Sequence, residues 1–148
     1  MEIHTIGFTK TTARGFFGRL RNAGIRRLID VRLHNTSQLA GFAKADDLAY
    51  FLEAILAIEY VHEPRLAPSD ELLNGLKKAK SIGWREFERG FLRLMDERRA
   101  AETLDRNLFA SRSALLCSEA TAEHCHRRLV AEHLAARWPD EDIRIVHL

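Results

Sequence analysis

Apolar residues along the chain follow two alternating periods. Short, nearly unbroken apolar runs at 3–7, 27–31, 58–62, 113–117 and 143–147 predict strands, because such runs bounded by glycine, proline or polar clusters suit strands buried on both faces. Helical spacing fills the intervals. Over 10–22, Phe16, Phe17 and Leu20 oppose Arg14, Arg19 and Arg21, and Ala23-Gly24 closes the helix. Asp46 and Asp47 predict the cap of a second helix whose apolar face is Leu48, Phe51, Leu52, Ile55 and Leu56. Ser69 opens a short helix running to Lys80. Trp84, Phe87, Phe91, Leu94 and Met95 recur at the spacing of a core-facing stripe. Residues 98–107 read as solvated helix and connection. A last helix is predicted over 122–137, with Thr121 as its N-cap and Trp138-Pro139 as its stop.

Strand–helix alternation predicts an α/β fold. A chain of 148 residues suits a single domain. The expected architecture is a three-layer sandwich, a mostly parallel sheet of about five strands with helices on both faces. In such sheets ligands bind beyond the carboxyl ends of the strands. Those ends carry Thr9, Asp30, Arg32, His62, Cys117 and Glu119. The polar stretch 32–44 predicts a long loop of the kind that often carries function.

Charge narrows the function little. Lysine and arginine number 23 against 21 acidic residues, a net charge of +2, which gives no reason to expect a general nucleic-acid coat, since that needs a strong basic excess, and leaves room for a local basic patch. The first residues lack the basic-then-apolar pattern of a signal peptide, and no apolar run is long enough to span a bilayer. With only two cysteines the expected setting is cytoplasmic and reducing. No membrane partner is expected, and a homodimer stays open.

The residues that carry chemistry cluster at two strand ends. Cys117 and Glu119 close the fourth strand, and Cys125, His126 and Arg127 begin the next helix, whose amide groups and dipole favour anions. A thiolate beside histidine is a nucleophile arrangement. Cys117 reads either as nucleophile or as core, and Cys125 as core beside Leu129. His126 and Arg127 are consecutive and cannot point the same way. A second reading makes Cys117, Glu119, His124, Cys125 and His126 metal ligands, but their spacing matches no standard zinc pattern, and no metal is assigned. A third makes the two cysteines a redox pair. Asp30 and Arg32 share a strand face, either as a plain ion pair or as a substrate clamp with Asp30 orienting Arg32 or acting as base. Tyr60 and His62 share another, and Ser37 and Phe42 lie in the long loop as candidate ligand contacts. The turn Gly7–Thr12 has neither GxGxxG nor GxxxxGK[ST] spacing, so ATP or NAD binding on standard motifs is not expected and no cofactor is assigned.

Thr5-Ile-Gly-Phe-Thr9, Leu28-Ile-Asp-Val-Arg32, Ser37-Gln-Leu-Ala-Gly-Phe42, Tyr60-Val-His-Glu-Pro64, Leu115-Leu-Cys-Ser-Glu119 and Cys125-His-Arg127 occur in an order that resembles the domain of unknown function 488 family. The resemblance implies a small α/β protein of a mostly prokaryotic family and names no activity. From the residues themselves, the expected function is an enzyme, a hydrolase or transferase, acting on a nucleotide, a nucleic-acid component or another small phosphate-bearing molecule. Arg32 and Arg127 would hold the anion, with Thr9, Ser37, Phe42, Tyr60 and His62 as further contacts. Asp30 or Glu119 would manage protons, and Cys117 or His126 would serve as nucleophile or base. The alternative is a non-catalytic module that binds nucleotide or nucleic acid in the same pocket.

Overall fold

The computed structural model describes residues 1–36 and 40–148. Its strands are β1 (Glu2–Gly7), β2 (Arg27–Asp30), β3 (Glu59–His62), β4 (Ser113–Cys117) and β5 (Arg144–His147). Its α-helices are α1 (Ala13–Asn22), α2 (Ala45–Phe51), α3 (Asp70–Leu73), α4 (Trp84–Glu97), α5 (Ala100–Thr103) and α6 (His126–Arg137). All strand pairings are parallel, in the order β3-β2-β4-β1-β5.

Strand alternation divides the core into two layers. Ile3, Ile29, Val31, Leu115 and Cys117 meet Phe87, Phe91 and Met95 of α4 and Leu129 of α6 on one face. Ile6, Leu28, Ala114 and Leu116 meet Phe16, Phe17 and Leu20 of α1 and Leu48 of α2 on the other. The result is the three-layer α/β sandwich expected. Strands β1 and β4 are neighbours, yet the chain leaves them over opposite faces, through α1 and α6. Such a divergence marks the carboxyl edge of the sheet as the edge where ligands bind in open α/β folds.

Several element ends differ from the sequence expectation. Helix α1 starts at Ala13 because Lys10 takes a left-handed φ of 57° and Thr12 accepts a bond from the Gly15 amide at 3.0 Å. Helix α2 is preceded by Lys44 with no side-chain cap, and Asp46 and Asp47 sit in its first turn, where carboxylates favour the positive helix end. It continues as a π-helical turn, Leu52–Leu56. That wider turn rotates Ile55 out of the apolar face, leaving it 49% exposed. A second π turn, Asn74–Lys78, extends α3. Residues 98–107 are not simply solvated: Arg99 adopts φ 51°, turning the chain so that Ala100, Ala101 and Leu104 are buried.

The largest shift concerns α6. It begins at His126, and Thr121 does not cap it; the residue before the helix is Cys125, in extended conformation at φ −135°, ψ 136°. The reason lies inside the fold. Arg127 is buried, and its Nη1 donates to the Glu119 carbonyl at 2.6 Å and to Cys125 Sγ at 3.3 Å. These bonds draw residues 119–125 into an irregular loop across the strand end. Among the described residues, no helix is long and apolar enough to cross a membrane.

Candidate functional site

A cavity of about 280 Å³ opens where β2 and β4 end. Its walls include Arg32, Cys117, Glu119, Cys125 and His126, with Lys77 and Trp84 coming from across the opening. This volume is near the lower end for small-molecule sites.

At its base lies a thiol–imidazole pair. Cys117 Sγ is 3.3 Å from His126 Nδ1, and His126 Nε2 donates to the Val31 carbonyl at 2.7 Å. The carbonyl can only accept, so in the neutral ring it fixes the proton on Nε2 and leaves the Nδ1 lone pair toward the thiol. Burial holds the His126 pKa below its ordinary value, which favours that neutral form. The Cys117 thiol is also held below its ordinary range. The Cys125 thiol's hydrogen bond is the largest influence; burial opposes it, while the Ser118 amide and the Arg127 charge assist. Burial and then Cys117 itself push the Cys125 thiol up. The sulfurs of Cys117 and Cys125 and a ring nitrogen of His126 all lie within 4.8 Å of one another, the one such group among the described residues.

Arg32 forms the wall at the end of β2. Its Nε and Nη2 bind the two Asp30 oxygens at 2.9 and 2.8 Å, while its buried Nη1 has no partner among the described residues. Phe8 lies under the guanidinium, 5.1 Å from ring centre to Cζ. Lys77 Nζ meets Glu119 Oε1 at 2.5 Å on the opposite rim. Burial works most strongly against the Lys77 ammonium, but the hydrogen bond and charge of Glu119, together with the nearby Cys117 and Cys125 sulfurs, outweigh it and raise its pKa. Trp84 stacks on His124 at 5.1 Å between ring centres and on Phe87 at 5.2 Å.

Thus Arg32, Cys117, Glu119 and His126 are brought together, and the other expected contacts fall elsewhere. Asp30 is fully buried behind Arg32, where the Arg32 amide, the guanidinium, Tyr60 and Asn35 all donate to it. Burial raises its pKa, but the Arg32 bonds and charge outweigh that and hold it below the ordinary value. A carboxylate with its lone pairs so occupied positions Arg32 rather than touching a ligand. Tyr60 is committed to Asp30 at 2.5 Å, and His62 Nε2 donates to the Arg32 carbonyl at 2.7 Å. Arg127 faces the Glu119 carbonyl beneath the loop instead of the cavity. Thr9 donates its hydroxyl and its amide to the Ser118 carbonyl, tying β1 to the loop after β4. Phe42 packs among Phe8, Phe16 and Phe17 on the far face of the sheet. Ser37 lies outside the described residues.

Two contributors went unread in the sequence. Trp84 belongs to the apolar stripe of α4, but as its first residue it overhangs the sheet edge; the break at 81–83 just before it was the available signal. Lys77 sits in the π turn after α3 and carries no signal of its own. Gly7 is a third, structural contributor. The Glu119 carbonyl oxygen lies 1.7 Å from where a Cβ at Gly7 would stand, so only glycine lets the loop close over β1.

No curated protein and no solved structure matches the chain. One family model does, described as a domain of unknown function, DUF488, over residues 12–134. That span holds both the Asp30-Val-Arg32 strand end and the cavity residues of β4 and α6. On this match the chain belongs to the DUF488 family.

Proposed function

We propose that this protein is a thiol-dependent enzyme, a hydrolase or transferase, acting on a small phosphate-bearing substrate such as a nucleotide or a nucleic-acid component. The observation that carries the reading is the 3.3 Å contact between Cys117 and an oriented His126, inside a cavity that Arg32 and Lys77 also line. Cys117 passes its proton to Nδ1, and the sulfur attacks the electrophilic centre as the bond to the leaving group breaks. The imidazolium returns the proton to the leaving group. Water, or a second acceptor, then displaces the sulfur, giving up a proton that His126 relays to it.

Arg32 and Lys77 supply the positive charge that a phosphate needs, and Glu119 holds Lys77 at the rim. The stacked Trp84 and His124 offer a flat wall for a planar group.

The test is a turnover screen of nucleotides, sugar phosphates and short oligonucleotides, run in a metal chelator with the full chain. The expected result is product formation that Cys117→Ser abolishes and His126→Gln slows by roughly 10²-fold or more. Lys77→Met should raise KM and spare kcat. Turnover that survives Cys117→Ser overturns the mechanism. A ligand that raises Tm without any product points instead to a binding module.

A further inference from the structure

Two thiols and one imidazole nitrogen converge on a single point at the cavity base. We propose that Cys117, Cys125 and His126 form a three-ligand site for one thiophilic divalent cation of the zinc class. The inference goes beyond the proposed reaction and stands on this geometry whether or not turnover is found.

Zinc bound tetrahedrally at about 2.3 Å from sulfur and about 2.0 Å from nitrogen leaves its ligands roughly 3.5–3.8 Å apart. The three donor atoms lie within 4.8 Å of one another, and the Cys117–His126 pair stands at 3.3 Å. Small side-chain adjustments bring such a set onto one ion. The surroundings match what a metal-bound histidine and thiolate require. The Val31 carbonyl accepts from Nε2 and so presents Nδ1 with its lone pair free. Arg127 Nη1 donates to Cys125 Sγ at 3.3 Å, which spreads the charge of a bound thiolate. Cys125 reaches this point only because it stands in extended conformation before α6. All three ligands line the cavity, so the fourth position opens toward it. Binding releases both thiol protons, and an ion held there occupies the Cys117 sulfur and the Nδ1 lone pair, so it excludes thiol chemistry while bound.

Cobalt(II) titration of the full, reduced, chelator-stripped chain tests this. The chain has only two cysteines, so the near-ultraviolet thiolate-to-cobalt absorption counts the sulfurs bound without any substitution. The expected result is one ion per chain, visible bands of tetrahedral intensity, absorption for two thiolates, and displacement by zinc. Cys125→Ser should weaken affinity by roughly tenfold or more, and zinc should block alkylation of Cys117 in the unsubstituted chain. Absorption for one thiolate or none, or half an ion per chain, overturns the site. The measurement uses no substrate, and the turnover screen is run in chelator, so each can fail alone.

Discussion

Replacing Asp30 by asparagine keeps the shape of a fully buried side chain and removes its charge. The carboxylate accepts from the Arg32 amide at 3.1 Å, from Arg32 Nε and Nη2 at 2.9 and 2.8 Å, and from Tyr60 at 2.5 Å. An asparagine has one acceptor oxygen, and its NH₂ group must face donors. Arg32 is itself only 3% exposed, so its charge loses its partner without gaining water. Breaking a buried pair from one side costs about 3–5 kcal/mol, which for a chain of this length lowers Tm by roughly 6–20 °C. Urea unfolding at pH 7 with an unchanged m-value should read that loss directly. The pH dependence gives an independent check. The folded Asp30 pKa lies below its ordinary 3.8, so as pH falls the unfolded chain takes up this proton first. The stabilisation is complete above 3.8 and is lost as pH falls through the folded value. Most other carboxylates titrate alike in both proteins, so the gap between the natural chain and Asp30→Asn should close in acid. A loss under about 1 kcal/mol at pH 7, or a gap that widens in acid, refutes the assignment of Asp30 as the buried counter-charge that positions Arg32.

Tyr60→Phe removes one donor to the same carboxylate and should cost about 1.5–3 kcal/mol in urea unfolding, as for hydrogen bonds to charged groups. Gly7→Ala forces the Glu119 carbonyl away from a Cβ and should cost about 1–3 kcal/mol or more. Because that carbonyl also binds Arg127, the substitution should weaken cobalt binding at Cys125 as well; unchanged stability would contradict the close approach. Ala57 ends the π turn after α2 at φ 51°, ψ 41°, so Ala57→Gly should stabilise by about 0.5–1 kcal/mol in a thermal melt, relief of left-handed strain exceeding the entropy of glycine.

How far the sequence discloses such a site depends on which physical rule places each residue. Arg32, Cys117 and Glu119 were legible because a parallel sheet sends its strand ends to one edge, and that edge follows from apolar periodicity alone. His126 was legible through its neighbourhood to that edge. Asp30 was legible as a partner of Arg32, since both share a strand face, but not as a buried acceptor for four groups; burial is set by Tyr60 and Asn35, which arrive from other segments. Tyr60 and His62 looked like cavity residues by the same strand-end rule. They missed it because alternation puts them on the other face from Val31 and Cys117: Tyr60 packs against the α1–α2 layer and bonds Asp30, and His62 bonds the Arg32 carbonyl. Cys125 illustrates a different limit. Local propensity continues α6 back through Ala122, which would have turned the thiol into core beside Leu129. A buried arginine two residues later overrides that preference, because its guanidinium must find acceptors, and the Glu119 carbonyl and Cys125 sulfur are the ones within reach. The same bonds that end the helix early bring the second sulfur to the first. The metal-type cluster therefore follows from where Arg127 Nη1 finds its acceptors, while the buried Nε has none among the described residues, and no ligand-spacing rule could have found it.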